Sequence, residues 1–218
     1  MKQKESPLDI QRLPWPLYVL DFEASSLEPG GYPIEVGLAL WSAPDKPVHS
    51  WSTLICPTED WLRHGDWSKA SRAVHGISQS ELKSSPKPQE VAQALNEALA
   101  STGIAWCDGG PYDAQWARSL FKAAGLKPAF SLGDWHGMLS RLESESRERA
   151  LHWLETTPSK HRAQEDAEHL VLALAHAAGI EVGPPQRLEA RIPALSGLTA
   201  ASTDHQEPDD KPRSGLPS

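Results

Sequence analysis

Asp21 and Glu23 stand two residues apart at the end of the apolar run Leu17-Tyr18-Val19-Leu20. In an extended strand, side chains at i and i+2 point to the same face. The run reads as a central strand that aims two carboxylates together from its carboxyl end, where ligand sites of α/β sheets commonly lie. Two anions this close repel unless a cation sits between them. Hard oxygen donors select Mg²⁺ or Mn²⁺ over softer metals. The pair alone fits equally well an exposed strand end with two solvated acids.

A second group lies far along the chain, in His161-Arg-Ala-Gln-Glu-Asp166, which opens a strongly helical segment. The spacing puts His161 at the mouth of the helix and Asp166 in its first turns. Ala163, Ala167, Leu170 and Leu174 make one apolar face against a sheet, and an acid on its flank could reach the edge that carries Asp21 and Glu23. Acids at a helix start are also favoured by the macrodipole without any ligand. The third candidate, Asp113, follows a fourth strand through Gly109-Gly110-Pro111 and opens a helix. There it serves equally as a plain N-cap. Asp108 would cap or close the same turn.

These residues need a scaffold, and the pattern of the chain supplies one. Residues 17–20, 34–41 and 48–55 read as three strands with short connections, an antiparallel meander. Ala70–Ser78 reads as a short helix ending at Gly76. Residues 88–100 form an amphipathic helix with Val91, Leu95, Ala98 and Leu99 on one stripe. A buried strand over 103–107, a helix over 112–124, a fifth short strand over 129–132 and helical segments across 135–155 and 162–178 complete the order. The sequence therefore predicts an α/β fold in which a mixed five-stranded sheet is flanked by helices. Residues 1–16 read as an irregular lead, 17–180 as the folded domain, and the proline-rich, aromatic-free 181–218 as a disordered tail.

The chain has 218 residues with 21 basic and 29 acidic side chains, a net charge of −8. That balance excludes a basic coat gripping nucleic acid mainly by counterion release, but not a small, cation-neutralised site. Cys56 and Cys107 form no disulfide framework. The first fifteen residues hold no secretory h-region, and no apolar run approaches the roughly 18 residues of a membrane span. A reducing, cytoplasmic setting without membrane contact is the expectation. Nine tryptophans against three tyrosines and three phenylalanines must supply most of the aromatic core.

Taken in order, Asp21-Phe-Glu23-Ala-Ser-Ser-Leu27, Val74-His75-Gly76-Ile77-Ser78, Pro111-Tyr-Asp113 and His161-x4-Asp166 resemble the motifs of the DEDDh superfamily. That superfamily holds the proofreading 3′→5′ exonucleases, ribonuclease T and oligoribonuclease. The resemblance covers about residues 17–180 and implies a ribonuclease H-like fold. It implies that Asp21, Glu23, Asp113 and Asp166 hold two divalent cations, Mg²⁺ or Mn²⁺, with Asp21 bridging, and that His161 is the general base. A histidine suits that role because the residue type titrates near neutrality. Ser25, Leu27, His75 and Ile77 would line the site of the terminal nucleotide. The chain departs from the pattern in Ala24-Ser25-Ser26, where a Thr-Gly is usual. It departs again in Cys107-Asp108, where His-Asn is common, and in Tyr112, which replaces a Phe.

The function so implied is metal-dependent 3′→5′ exonuclease activity on single-stranded ends of DNA or RNA, releasing 5′-mononucleotides. The partners would be nucleic-acid 3′ ends, and the oligomeric state is left open, a homodimer included. The competing reading is a non-catalytic nucleic-acid-binding or scaffold module that retains the exonuclease fold.

Overall fold

The structure, a computed structural model, describes residues 9–188. Strands β1 (Leu17–Ala24), β2 (Pro33–Trp41) and β3 (Val48–Leu54) form the antiparallel meander. Three short helices follow: α1 (Glu59–His64), α2 (Lys69–His75) and α3 (Gln79–Leu82). The amphipathic α4 (Pro88–Leu99) then crosses over to β4 (Ile104–Cys107), which lies parallel to β1. A second crossover, α5 (Pro111–Ala124), leads to β5 (Ser131–Asp134), parallel to β4. The chain closes with α6 (Trp135–Leu139), α7 (Ser144–Thr156), α8 (Ala163–Ala177) and β6 (Gln186–Arg187). The sheet order is β5-β4-β1-β2-β3-β6.

Alternation along the central strands sorts the core onto two faces. Tyr18, Leu20 and Phe22 of β1, with Val36, Leu38 and Leu40 of β2, pack in one cluster with residues of α4 and α5. Leu17, Val19, Ala39 and Trp41 join the other cluster, with Ala167, Leu170, Val171 and Leu174 of α8. Continuing the period, Asp21 and Glu23 fall on the α8 face, as do Glu35 and Gly37. Trp41, Trp51, Trp116 and Trp135 are among the largest fully buried side chains. Among the described residues they share the aromatic core with Tyr18, Phe22, Tyr32, Phe121 and Phe130 rather than supplying most of it.

The sheet has six strands where the sequence predicts five. Arg187 of β6 donates to Glu168 through Nε and Nη2 at 3.0 and 2.7 Å, and its Nη1 meets Glu165 at 2.9 Å. That grip holds residues 186–187 beside β3 in a proline-rich segment that carries no strand pattern of its own. Residues 181–188 therefore pack, with Val182 and Leu188 against the core, although the sequence reading places them in the tail. The rest of that tail, 189–218, lies outside the described residues. In the lead, Asp9–Arg12 form a 3-10 turn, and Ile10 and Leu13 are buried. Among the described residues, no helix is long and apolar enough to cross a membrane.

Candidate active site

The predicted carboxylates meet at the carboxyl ends of β1 and β4. Asp21 belongs to two groups whose ligand atoms all lie within 4.8 Å of one another: Asp21 with Glu23 and Asp166, and Asp21 with Asp108 and Asp113. Asp21 and Glu23 arrive on one face of β1, as their spacing requires. Asp166 comes from the first turn of α8, where its N–H donates to the Arg162 carbonyl at 2.9 Å.

Asp113 is not the helix cap. Gly110 holds that position, and Asp113 stands three residues inside α5, only 2% exposed. It accepts from the Gly109 N–H at 3.0 Å, and also from the Phe22 N–H and the Cys107 thiol. A Cβ on Gly109 would sit 2.6 Å from Asp113 Oδ2, so only glycine lets the turn close on the carboxylate. Burial raises this acid to about 6, with Asp108 adding repulsion and the three donors opposing the rise.

Asp108, read from sequence as a turn residue, is the functional candidate that sequence reasoning missed. The signal was available: it follows directly on a buried strand, and a strand pairing parallel to β1 delivers its next residue beside Asp21. Around this cluster the electrostatics are adverse. Burial and then the charges of Asp113, Glu23, Asp166 and Asp108 push Asp21 well above the ordinary carboxylate range. Glu23 is raised to about 8 by burial, then Asp166 and Glu35, with Arg162 opposing.

A cavity of about 310 Å³ opens on these acids, lined by Asp21, Asp108, Asp166, His161, Ser159 and His169 with Leu154 and Leu170. His161 is exposed at its mouth, in the left-handed backbone region at φ +54°, an uncommon place for a non-glycine residue. Its N–H donates to Ser159 Oγ at 3.1 Å, and that hydroxyl donates in turn to Asp166 Oδ1. The loop between α7 and α8 is thereby tied to the acid it accompanies. His169, one turn beyond Asp166, packs against Trp153 with the rings tilted by 39° and their centroids 4.6 Å apart. It hydrogen-bonds the carbonyls of Leu154 and Thr157, and burial lowers its pKa despite those bonds and the nearby Asp166.

On the other side of Glu23 is a second pocket of about 260 Å³, walled by Phe22, Ala24, Leu27, Val74, His75 and Trp116 among others. Leu27 is 62% exposed at its rim. His75 is 5% exposed; its Nδ1 accepts from the Ile77 N–H at 3.0 Å, and its Nε2 is buried without a partner. Burial, then Arg162 and Arg72, lower its pKa, which favours the neutral ring. With Nδ1 accepting, the proton of a neutral ring sits on Nε2 and is left to donate.

Two of the residues expected at the nucleotide site do not line this pocket. Ser25 is fully buried, its hydroxyl donating to the Asp66 carbonyl at 2.7 Å and accepting from the Tyr32 N–H at 3.0 Å. It shapes the turn after β1 and presents no free hydroxyl. Ile77 packs with Tyr32, Ile34 and Leu82 in a small core cluster. The turn at Gly76 reverses the chain between His75 and Ile77, so only His75 faces the pocket.

The donor set, carboxylates whose charges cannot coexist without compensation, suits a hard divalent cation. A mixed sheet with such a cluster beside its parallel strands is the ribonuclease H-like arrangement. No family model matches this sequence and no curated protein matches it. Solved structures do match. A full-length 3′-exonuclease superposes with a TM-score of 0.55 at 14% identity, over 77% of this chain and 63% of that one. A 3′-exonuclease in 3′-end specific recognition of a histone mRNA stem-loop gives 0.55 at 13% identity, over 75% and 64%. The zinc-bound form of the E. coli ExoI complex with single-stranded DNA gives 0.54 at 14%, over 73% and 40%. This chain thus spans less than two thirds of the length of each. The fold is that of the DEDD-type 3′-exonucleases.

Proposed function

We propose that the protein is a metal-dependent 3′→5′ exonuclease that hydrolyses the terminal phosphodiester of single-stranded DNA or RNA and releases 5′-mononucleotides. The observation that carries this reading is the meeting of two acid groups that share Asp21, one with Glu23 and Asp166 and one with Asp108 and Asp113, with His161 on the cavity that Asp21, Asp108 and Asp166 line and an apolar pocket next to Glu23.

Asp21, Glu23 and Asp166 would hold one divalent cation, Mg²⁺ or Mn²⁺, and Asp21, Asp108 and Asp113 a second. When bound, such a pair supplies positive charge that stabilises the attacking and leaving oxygens of an in-line displacement. His161, exposed beside the acids, takes the proton of the attacking water. Leu27 and Val74 pack on the terminal base, and His75 Nε2–H donates to a polar atom of the terminal nucleotide. Asp113, locked by three donors, keeps the turn after β4 in place and with it Asp108. Because the acids carry a cluster of negative charge, the grip on a long strand is weak and recognition is confined to a short 3′ end.

The test is a time course on labelled DNA and RNA oligonucleotides, single- and double-stranded, with Mg²⁺ or Mn²⁺. The wild type should release mononucleotides from the 3′ end, and Asp21→Ala and His161→Ala should each abolish release. A wild type inert on all substrates with both cations overturns the enzyme reading and leaves the non-catalytic nucleic-acid-binding module. Activity that survives Asp21→Ala overturns the site.

A further inference from the structure

Glu35 is the one charged residue in the run Ile34–Trp41 and is 2% exposed. A carboxylate so placed is costly unless its charge is met. Both of its oxygens go to the two residues that follow His161. Arg162 donates through Nε and Nη2 at 2.9 and 2.7 Å, and the Ala163 N–H donates at 3.2 Å. Two positions along the same face of β2 is Gly37, where a Cβ would lie 2.1 Å from the carbonyl carbon and oxygen of Ala163. The β2 face is thus a seat for the first peptide of α8, closed by a buried acid and open only at a glycine.

What the seat fixes matters because of its neighbours. His161 immediately precedes it at φ +54°, and Asp166 is bonded to it through the Arg162 carbonyl. A second buried acid gripped by an arginine, Glu168 with Arg187, lies on the same helix but bonds to Ser50 and β6, away from His161. It makes a matched control.

We propose that Glu35, acting through the forked grip of Arg162, is a positioning residue that aims His161 at the acid cluster. The catalytic consequence rests on the exonuclease reading; the grip itself does not. Arg162 has a rival task. Glu23 and Glu35 lie directly opposite in the β1–β2 pair, where like charges repel, and a cation there balances them. The two tasks differ in what they demand: balance needs a charge, whereas aim needs the planar fork, which lysine lacks.

The experiment compares Glu35→Gln, Arg162→Lys, their double mutant and Glu168→Gln, each in the full chain and each checked for a cooperative melt. Mononucleotide release and the amide hydrogen exchange of His161 are measured on all. Positioning predicts that Glu35→Gln and Arg162→Lys each lower kcat about tenfold to hundredfold with KM within about twofold. The double mutant should lose no more than the worse single. Glu168→Gln should lower the melting temperature while leaving kcat unchanged. In both positioning variants the His161 amide exchanges faster, and in Glu168→Gln it does not. Wild-type kcat in Arg162→Lys assigns Arg162 to charge balance and overturns the proposal, as does a loss confined to KM. If the wild type is inert, the exonuclease reading fails on its own. The exchange data then decide the grip, and an unmoved His161 amide in Glu35→Gln refutes it.

Discussion

Replacing a carboxylate of the active cluster should make the cation-free protein more stable. Glu23 is raised from 4.5 to about 8, first by burial and then by Asp166 and Glu35. A carboxyl whose folded pKa lies above its unfolded value binds the extra proton in the folded state, so stability falls as pH rises between the two values. At pH 7 the unfolded carboxyl is ionised and the folded one is still protonated. The linkage relation then gives about 3 kcal/mol against folding, and about 2 kcal/mol once the partial solvent access of the group is allowed for. Glu23→Gln removes that penalty while keeping size and shape. For a chain of this length, 2–3 kcal/mol corresponds to a melting temperature about 4–12 °C higher. The assay is thermal unfolding in EDTA from pH 4.5 to 8.5. The two proteins should melt together at the acid end, and the gap should widen by up to about 1.4 kcal/mol per pH unit until it levels near pH 8. Added Mg²⁺ should narrow the gap, because of the two acid groups the one that contains Glu23 is complete in the wild type alone. A Glu23→Gln protein that melts at or below the wild type in EDTA at pH 7 refutes the reasoning, and so does a gap that ignores pH.

Gly37→Ala should do the opposite. Its Cβ overlaps the Ala163 carbonyl, so α8 must retreat; about 1–3 kcal/mol of stability is lost, and kcat falls on the order of a hundredfold, read by melting and by mononucleotide release. Leu27→Ala should leave the melting temperature within a degree or two, since the side chain is 62% exposed. Its KM for oligonucleotides should rise about tenfold, the loss of one leucine's burial on binding. Asp108→Asn should weaken the second of two Mn²⁺ binding events in calorimetry by about tenfold or more, with the first unchanged; equal weakening of both would remove Asp108 from the ligand set.

Much of the site was legible because short-range geometry dictates it. A strand aims residues two apart to one face, so Asp21-Phe22-Glu23 declares a paired carboxylate on its own, and the helical period from Ala163 to Leu174 shows which side of Asp166 meets the sheet. The turn at Gly76 also follows locally, from a helix that needs a left-handed end. Other features depend on partners distant in sequence. Asp108 counts as a ligand candidate only because β4 lies beside β1. Ser25 and Ile77 look the same in sequence whether they face a nucleotide or the core, and it is the packing of Asp66, Tyr32 and Leu82 that turned them inward.

The sequence by itself therefore determined the kinds of chemistry present, the period-two and period-3.6 faces that carry them, and the order of β1 to β5 with their crossover helices, all set by the backbone over a few residues. Tertiary structure alone decided which charges share a volume. Glu35 lies 127 residues from Arg162, and Arg187 reaches back to Glu168 to add a sixth strand. A buried charge is tolerable only where its counter-charge arrives, and folding of the distant segments sets that meeting place.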